Sequence, residues 1–218
     1  MKENKTKRLV ISAMFIAIGT AISLICEFIP FLNLPFGGTI TIASTLPVII
    51  IGYMYGTRWG LFSAFIYSIL QIAIGTKTVA ALFTPTSDSF MGIGIAISVV
   101  AIDYILAFTS LGLGGIFRNK CEKKKAIVCG VLVCLISSYF FHFLSGALFY
   151  GAWAEWFFTD TIIAELSISK YIMDSFTGFG LAAVYSLVYN GCYMIPEIII
   201  TALISLPISM IKQVEKRN

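Results

Sequence analysis

The sequence predicts an all-α membrane protein of six transmembrane helices, with both termini in the cytoplasm. Three observations carry that prediction. Of the 218 residues, 58% are hydrophobic and only 12% charged, and the mean hydropathy is +0.92. A soluble domain carries about 25% charge. Apolar runs recur at the length of a bilayer crossing, roughly 20 residues each. The basic residues are also segregated. Thirteen of the fifteen Lys and Arg fall in the N-terminus, at Arg58, in Arg118–Lys125 and in the C-terminal tail, leaving Lys77 and Lys170 for the other connections. The positive-inside rule puts the rich set in the cytoplasm, and six crossings return the chain to the side it left. The net charge of +4 therefore reads as topology, and no nucleic-acid partner is expected.

Each span has a local reason. Lys2, Lys5, Lys7 and Arg8 precede an apolar run at 9–29. That run is too long for a signal peptide and has no A-x-A cleavage site, so it reads as a retained first helix. Pro30 ends it, and NLPFGG at 33–38 forms a short uncharged connection. The second span is placed at 39–53 and the third at 58–74, joined by the tight GTRWG turn. A polar loop with Lys77, Pro85 and Asp88 leads to a fourth span at 93–117; RNKCEKKK then separates it from a fifth at 126–150. The segment 151–184, with Glu155, Asp160, Glu165, Lys170 and Asp174, is external, and 190–211 forms the sixth span. Residues 1–218 thus read as a single membrane domain. Trp153 and Trp156 suit the outer interfacial belt and Trp59 the inner one. No internal repeat supports an inverted-repeat transporter plan. The five cysteines have no metal spacing, so they read as free thiols and no metal site is expected.

Orientation converts positions into depths. At 1.5 Å per residue, Asp103 lies ~15 Å below the outer end of its helix, His142 ~12 Å and Glu197 ~10 Å. Asn190 opens the last span, with Tyr185 and Tyr189 just above it. His142, the only histidine, sits in the apolar segment YFFHFLSGALFY at 139–150. An intramembrane histidine either satisfies a helix–helix hydrogen bond or faces a ligand. Glu197 follows Pro196, so it either serves backbone freed by the proline or joins the same polar level. A buried carboxylate needs compensation, and no Lys or Arg lies inside any span. Protonation of Asp103 is one answer and a cationic ligand another, since the nearby Tyr104, Tyr139, Tyr150, Tyr185 and Tyr189 favour cations through their ring faces. The residues point to an outward-facing site for a small aromatic or cationic solute.

Four stretches carry a resemblance: NLPFGGTITIASTLP at 33–47, AIDYILAFTSLGLGGIF at 101–117, YFFHFLSGALFY at 139–150 and YSLVYNGCYMIPE at 185–197. With them the chain resembles the thiamine-specific S components of energy-coupling-factor vitamin transporters over nearly its whole length. The resemblance implies a protein that captures thiamine from outside. It then delivers the vitamin together with a coupling transmembrane subunit and two cytoplasmic ATPase subunits. It assigns substrate contacts to Asp103, Tyr104, His142, Tyr150, Tyr185, Asn190 and Tyr67, with Phe36 standing in for a tryptophan of the first loop. Aspartate at 103 replaces a glutamate found in family members. Ala13 and Ala17 fall on a small-residue motif that meets the coupling subunit. The chemistry agrees: Asp103 can neutralise the thiazolium, while Tyr104, Tyr150 and a neutral His142 stack on the rings. Asn190 and Tyr185 offer donors and acceptors to the aminopyrimidine.

The chain lacks a GxxxxGK[ST] phosphate loop, so ATP belongs to the partners and no cofactor is expected here. A different class of function is a secondary transporter coupling solute to protons through Asp103, His142 and Glu197. An intramembrane hydrolase built on His142 and Ser145 has neither a GxSxG nor an HExxH context, and the chain is not read as an enzyme.

Overall fold

The computed structural model describes residues 5–34 and 38–215, and among them the regular secondary structure is helical apart from one isolated bridge between Asn33 and Thr39. The helices are α1 (Lys5–Glu27), α2 (Leu46–Tyr55), α3 (Thr57–Ile74), α4 (Thr76–Phe83), α5 (Ile93–Gly115), α6 (Lys123–Phe149), α7 (Ala154–Asp160), α8 (Ser167–Ser175) and α9 (Gly178–Met210). Five of them, α1, α3, α5, α6 and α9, are long and apolar enough to cross a membrane. The pair α6 and α9 makes the most extensive helix contact.

The second predicted span departs most from expectation. The helix starts at Leu46, not at Thr39, because Pro47 occupies its first turn, where a missing N–H costs nothing. Residues 39–45 form a turn in which Ile42 and Ala43 are left-handed (φ 47° and 63°), a conformation rare for a β-branched residue. Glu197 of α9 holds it. Its two carboxylate oxygens accept from the backbone N–H groups of Thr41 (3.0 Å) and Ala43 (3.1 Å), and from the Thr201 hydroxyl (3.1 Å). Non-helical backbone is tolerated inside a helical bundle only where its polar groups are satisfied or face a cavity. Asn33 fixes the other end of the connection, donating to the carbonyls of Glu27 and Ile29 (2.9 Å each) and accepting from the Thr39 hydroxyl (2.7 Å). Every α2 residue except Pro47 is buried, as expected of a helix that is apolar all round.

Other boundaries shift for local reasons. The fifth helix runs from Lys123 to Phe149, close to its expected place. α9 begins twelve residues earlier than position 190 and continues through Pro196 and Pro207. Residues 151–184 consequently hold the start of α9 as well as α7 and α8. The loop after α3 contains α4. Within α5, residues Val100–Leu106 are π-helical and Ser110–Gly115 tighten into 3₁₀ geometry.

Near the ends of the helices that carry the termini, the bundle is closely packed. The carbonyl of Gly112 faces Gly52 and Gly60, Gly115 lies against Gly52, and Gly130 meets the Gly114 carbonyl. A Cβ at Gly112 would overlap the backbone of Gly60 and Leu61, so glycine is required there by proximity. Small residues that let backbones touch are the usual means of packing helices in lipid. Trp59 donates to the Ser12 hydroxyl (2.9 Å) and lies under the Arg8 guanidinium (3.9 Å to the ring centre). Lys123 donates to the Ile211 carbonyl (2.7 Å).

Candidate functional site

A cavity opens at the other end of the bundle, between α1, the 38–45 turn and α3 on one side and α5, α6 and α9 on the other. The space open to the centre of a water-sized sphere is about 130 Å³, roughly ten times what one water needs. Asp103, Tyr104, His142, Tyr150, Tyr185 and Asn190 all line it. Three helices, α5, α6 with Tyr150 at its C-cap, and α9, thus bring six of the residues singled out in the sequence to a single hollow.

Asp103 and Tyr104 come from the π-helical part of α5. Such wide turns are rare and cluster at functional sites. The Asp103 carboxylate lies 2.8 Å from His142 Nδ1, so a third answer to its charge is an imidazole partner, besides protonation or a cationic guest. With Nδ1–H donating to the carboxylate, a neutral ring keeps a lone pair on Nε2. Asp103 retains more exposure than its partner, 25% against 10% of the side chain, and can still meet a guest. The His142 ring is wedged between Phe108 and Tyr193, each in an edge-to-face contact at 5.9 Å.

Asn190 is more committed than its sequence suggests. Its Nδ2 donates to the Ser186 carbonyl (2.8 Å), the Ser186 hydroxyl (3.1 Å) and the His142 carbonyl (3.3 Å), while its Oδ1 accepts from the Tyr193 hydroxyl (2.7 Å). It ties α9 to α6 and orients Tyr193. Tyr185 is fully buried against Tyr189 and Phe157. Phe157 belongs to α7, so this helix of the 151–184 segment roofs the tyrosines of α9. Tyr150 leans on Trp153 at 5.6 Å.

Three expectations need correction or restriction. Tyr67 is completely buried and does not reach the lining; its hydroxyl lies 3.3 Å from the Ser44 hydroxyl and its ring supports Phe108 edge-on at 5.9 Å. Tyr139 is likewise outside the cavity, because its hydroxyl donates to the Leu187 carbonyl (2.6 Å). Phe36 lies outside the described residues. Ala13 and Ala17 are exposed on α1, away from the hollow.

The lining also contains residues that the sequence reading passed over: Phe108, Tyr193, Ser23, Gln71, Thr41 and Thr45. A signal existed for two of them. Tyr193 continues the four-residue spacing of Tyr185, Tyr189 and Glu197, and Phe108 lies four after Tyr104, so each shares a helix face with residues already chosen. Nothing comparable marked the α1–α3 side. Among the described residues the lining includes the carboxylates of Glu27, Asp103 and Glu197 and no Lys or Arg.

Comparison with known proteins gives the family and the fold. Residues 13–156 match the family described as thiamine transporter protein (Thia_YuaJ). The chain belongs to that family. Its relatives include the thiamine transporter ThiT of Bacillus subtilis, 28% identical over 213 residues, which span 92% of this chain and 91% of that protein. A solved structure of ThiT from Listeria monocytogenes shares the fold at a TM-score of 0.61 and 21% identity, over 95% of this chain and 98% of the other. Members of the thiamine transporter family are named for transport, not for an enzymatic reaction. This chain is accordingly a multi-pass membrane protein of that class.

Proposed function

We propose that the chain is a substrate-binding S component, which captures thiamine in this cavity from outside the cell and delivers it through an ATP-driven complex. The observation that carries the reading is the hollow itself. A carboxylate–imidazole pair and six aromatic rings, Tyr104, Phe108, Tyr150, Tyr185, Tyr189 and Tyr193, surround a space bordered by three acids and no Lys or Arg among the described residues. A permanently charged thiazolium suits such a site, because acidic groups offset its charge and ring faces attract cations. Asp103 neutralises the thiazolium and Tyr104 and Tyr150 flank the rings, while Asn190 and Tyr185 shape the walls.

In this reading α2 is the sixth crossing. Its ten residues reach only ~15 Å, and the 39–45 turn completes the passage inside the protein. The segregated basic residues then put both termini in the cytoplasm, which opens the cavity outward. The exposed Ala13 and Ala17 of α1 present the surface for a coupling transmembrane subunit, and two ATPase subunits supply the energy.

The test is titration of purified protein with thiamine, its phosphates and its pyrimidine moiety, read by tyrosine and tryptophan fluorescence. Thiamine is expected to quench at micromolar concentration or below; no response to any of them removes the vitamin assignment. Vesicles holding this chain alone should bind thiamine without accumulating it. The Asp103–His142 contact also suits a proton relay, which is the basis for a proton-coupled secondary transporter. Uptake by the chain alone that stops when the proton gradient is collapsed would establish that alternative.

A further inference from the structure

The α1–α3 side of the cavity carries a polar group whose hydrogen bonding is incomplete. Gln71 is 6% exposed and lines the hollow beside Ser23. The Ser23 hydroxyl donates to its Oε1 at 3.0 Å, which turns the amide so that its nitrogen faces away from Ser23. That Nε2 has no partner among the described residues. Thr45 Oγ1, also buried and on the same lining, has none either. Buried donors in native proteins are nearly always paired, and an unpaired one is destabilising. The contrast with Asn190 is direct: the carboxamide that the sequence marks as the ligand's partner has its nitrogen and oxygen engaged within the protein, while the unmarked one has a donor to spare.

We infer that Gln71, its amide oriented by Ser23, is a specificity-determining contact that donates from Nε2 to a neutral acceptor lone pair on the bound heterocycle. This rests on the reading of the cavity as a thiamine site and adds a second point of recognition to the Asp103 side. Thiamine offers such lone pairs in two places, on the aminopyrimidine ring nitrogens and on the oxygen of the hydroxyethyl arm. The shared requirement is an uncharged acceptor, because Glu27 and Glu197 line the same hollow and disfavour an anionic one.

The experiment titrates full-length wild type, Q71L and Q71E with thiamine and records thermal unfolding of each without ligand. Q71L removes the unpaired donor but also the acceptor of the Ser23 hydroxyl, so its ligand-free unfolding midpoint should stay close to that of wild type, while its thiamine affinity falls about tenfold. Q71E keeps the size and an acceptor toward Ser23 but replaces the donor, and should weaken binding although its added charge favours the thiazolium. Two further ligands locate the acceptor. If it is the hydroxyl oxygen, an analogue with ethyl in place of hydroxyethyl binds wild type about tenfold more weakly and Q71L no more weakly still. If it is a ring nitrogen, the isolated aminopyrimidine moiety loses about tenfold in Q71L. Folded Q71L and Q71E that bind thiamine as wild type does would overturn the role of Gln71 and leave the thiamine site standing. A wild-type protein that does not respond to thiamine would overturn both.

Discussion

The two ends of the bundle are built on opposite rules. Where the termini lie, Gly52, Gly60, Gly112, Gly115 and Gly130 bring α2, α3, α5 and α6 into backbone contact, and no side chain stands between them. At the cavity end α5 carries Asp103, Tyr104 and Phe108 and α6 carries His142, and these larger side chains line the hollow. One chain therefore contains a dry clamp and a polar hollow, and the clamp fixes the helices whose far ends form the walls. The difference teaches that the size of residues along a helix, and not its hydropathy, decides whether its end closes or opens.

That contrast can be broken from either side. The largest effect is expected at the clamp: Gly112→Val forces a branched side chain into the backbone of α3, costing about 3 kcal/mol, seen as a sharp fall in unfolding temperature or in recoverable protein. Next comes the link between the two ends. Glu197→Gln keeps the shape but turns an N–H₂ toward one of the two backbone donors it now serves, costing about 2 kcal/mol of stability. The loss should appear in thermal unfolding with and without thiamine. Asp103→Asn belongs to the cavity alone. It should leave unfolding nearly unchanged while weakening thiamine binding at least tenfold, or about 1.4 kcal/mol, and affecting a neutral pyrimidine analogue much less. Equal losses for the two ligands would count against charge pairing. The smallest change is expected at Gly94 of α5, where nothing lies within 4 Å of an added Cβ. Gly94→Ala should stabilise by about half a kcal/mol through helix propensity, and a loss comparable to that at Gly112 would dissolve the distinction.

Much of this was legible in the sequence because it depends on periodicity and charge. The five long helices follow from apolar runs, and Asp103, His142 and Asn190 stand out as polar groups inside them. What escaped depends on contacts between distant residues. The 39–45 segment looks like helix because its apolar residues suit one; its bend is stabilised by Glu197, more than 150 positions away. Gln71 and Ser23 are unremarkable polar residues until the fold sets them together. Tyr67 and Tyr139 illustrate the converse, since the right residue type on the right helix still faces elsewhere when a neighbouring hydroxyl or carbonyl claims it. The early start of α9 was hidden by the acidic residues just before it, which made the whole of 151–184 read as a loop.

The wide turns of α5 give the binding wall a register problem of its own. A π-helical stretch carries a surplus residue relative to an α-helix, and Asp103 and Tyr104 lie within it. Removing Ile105 would wind the coil back toward regular pitch and swing Asp103 and Tyr104 about 100° around the axis relative to the anchored glycines beyond the deletion. Loss of recognition by shortening, with every chemical group retained, is the fingerprint such a frame-dependent wall would leave.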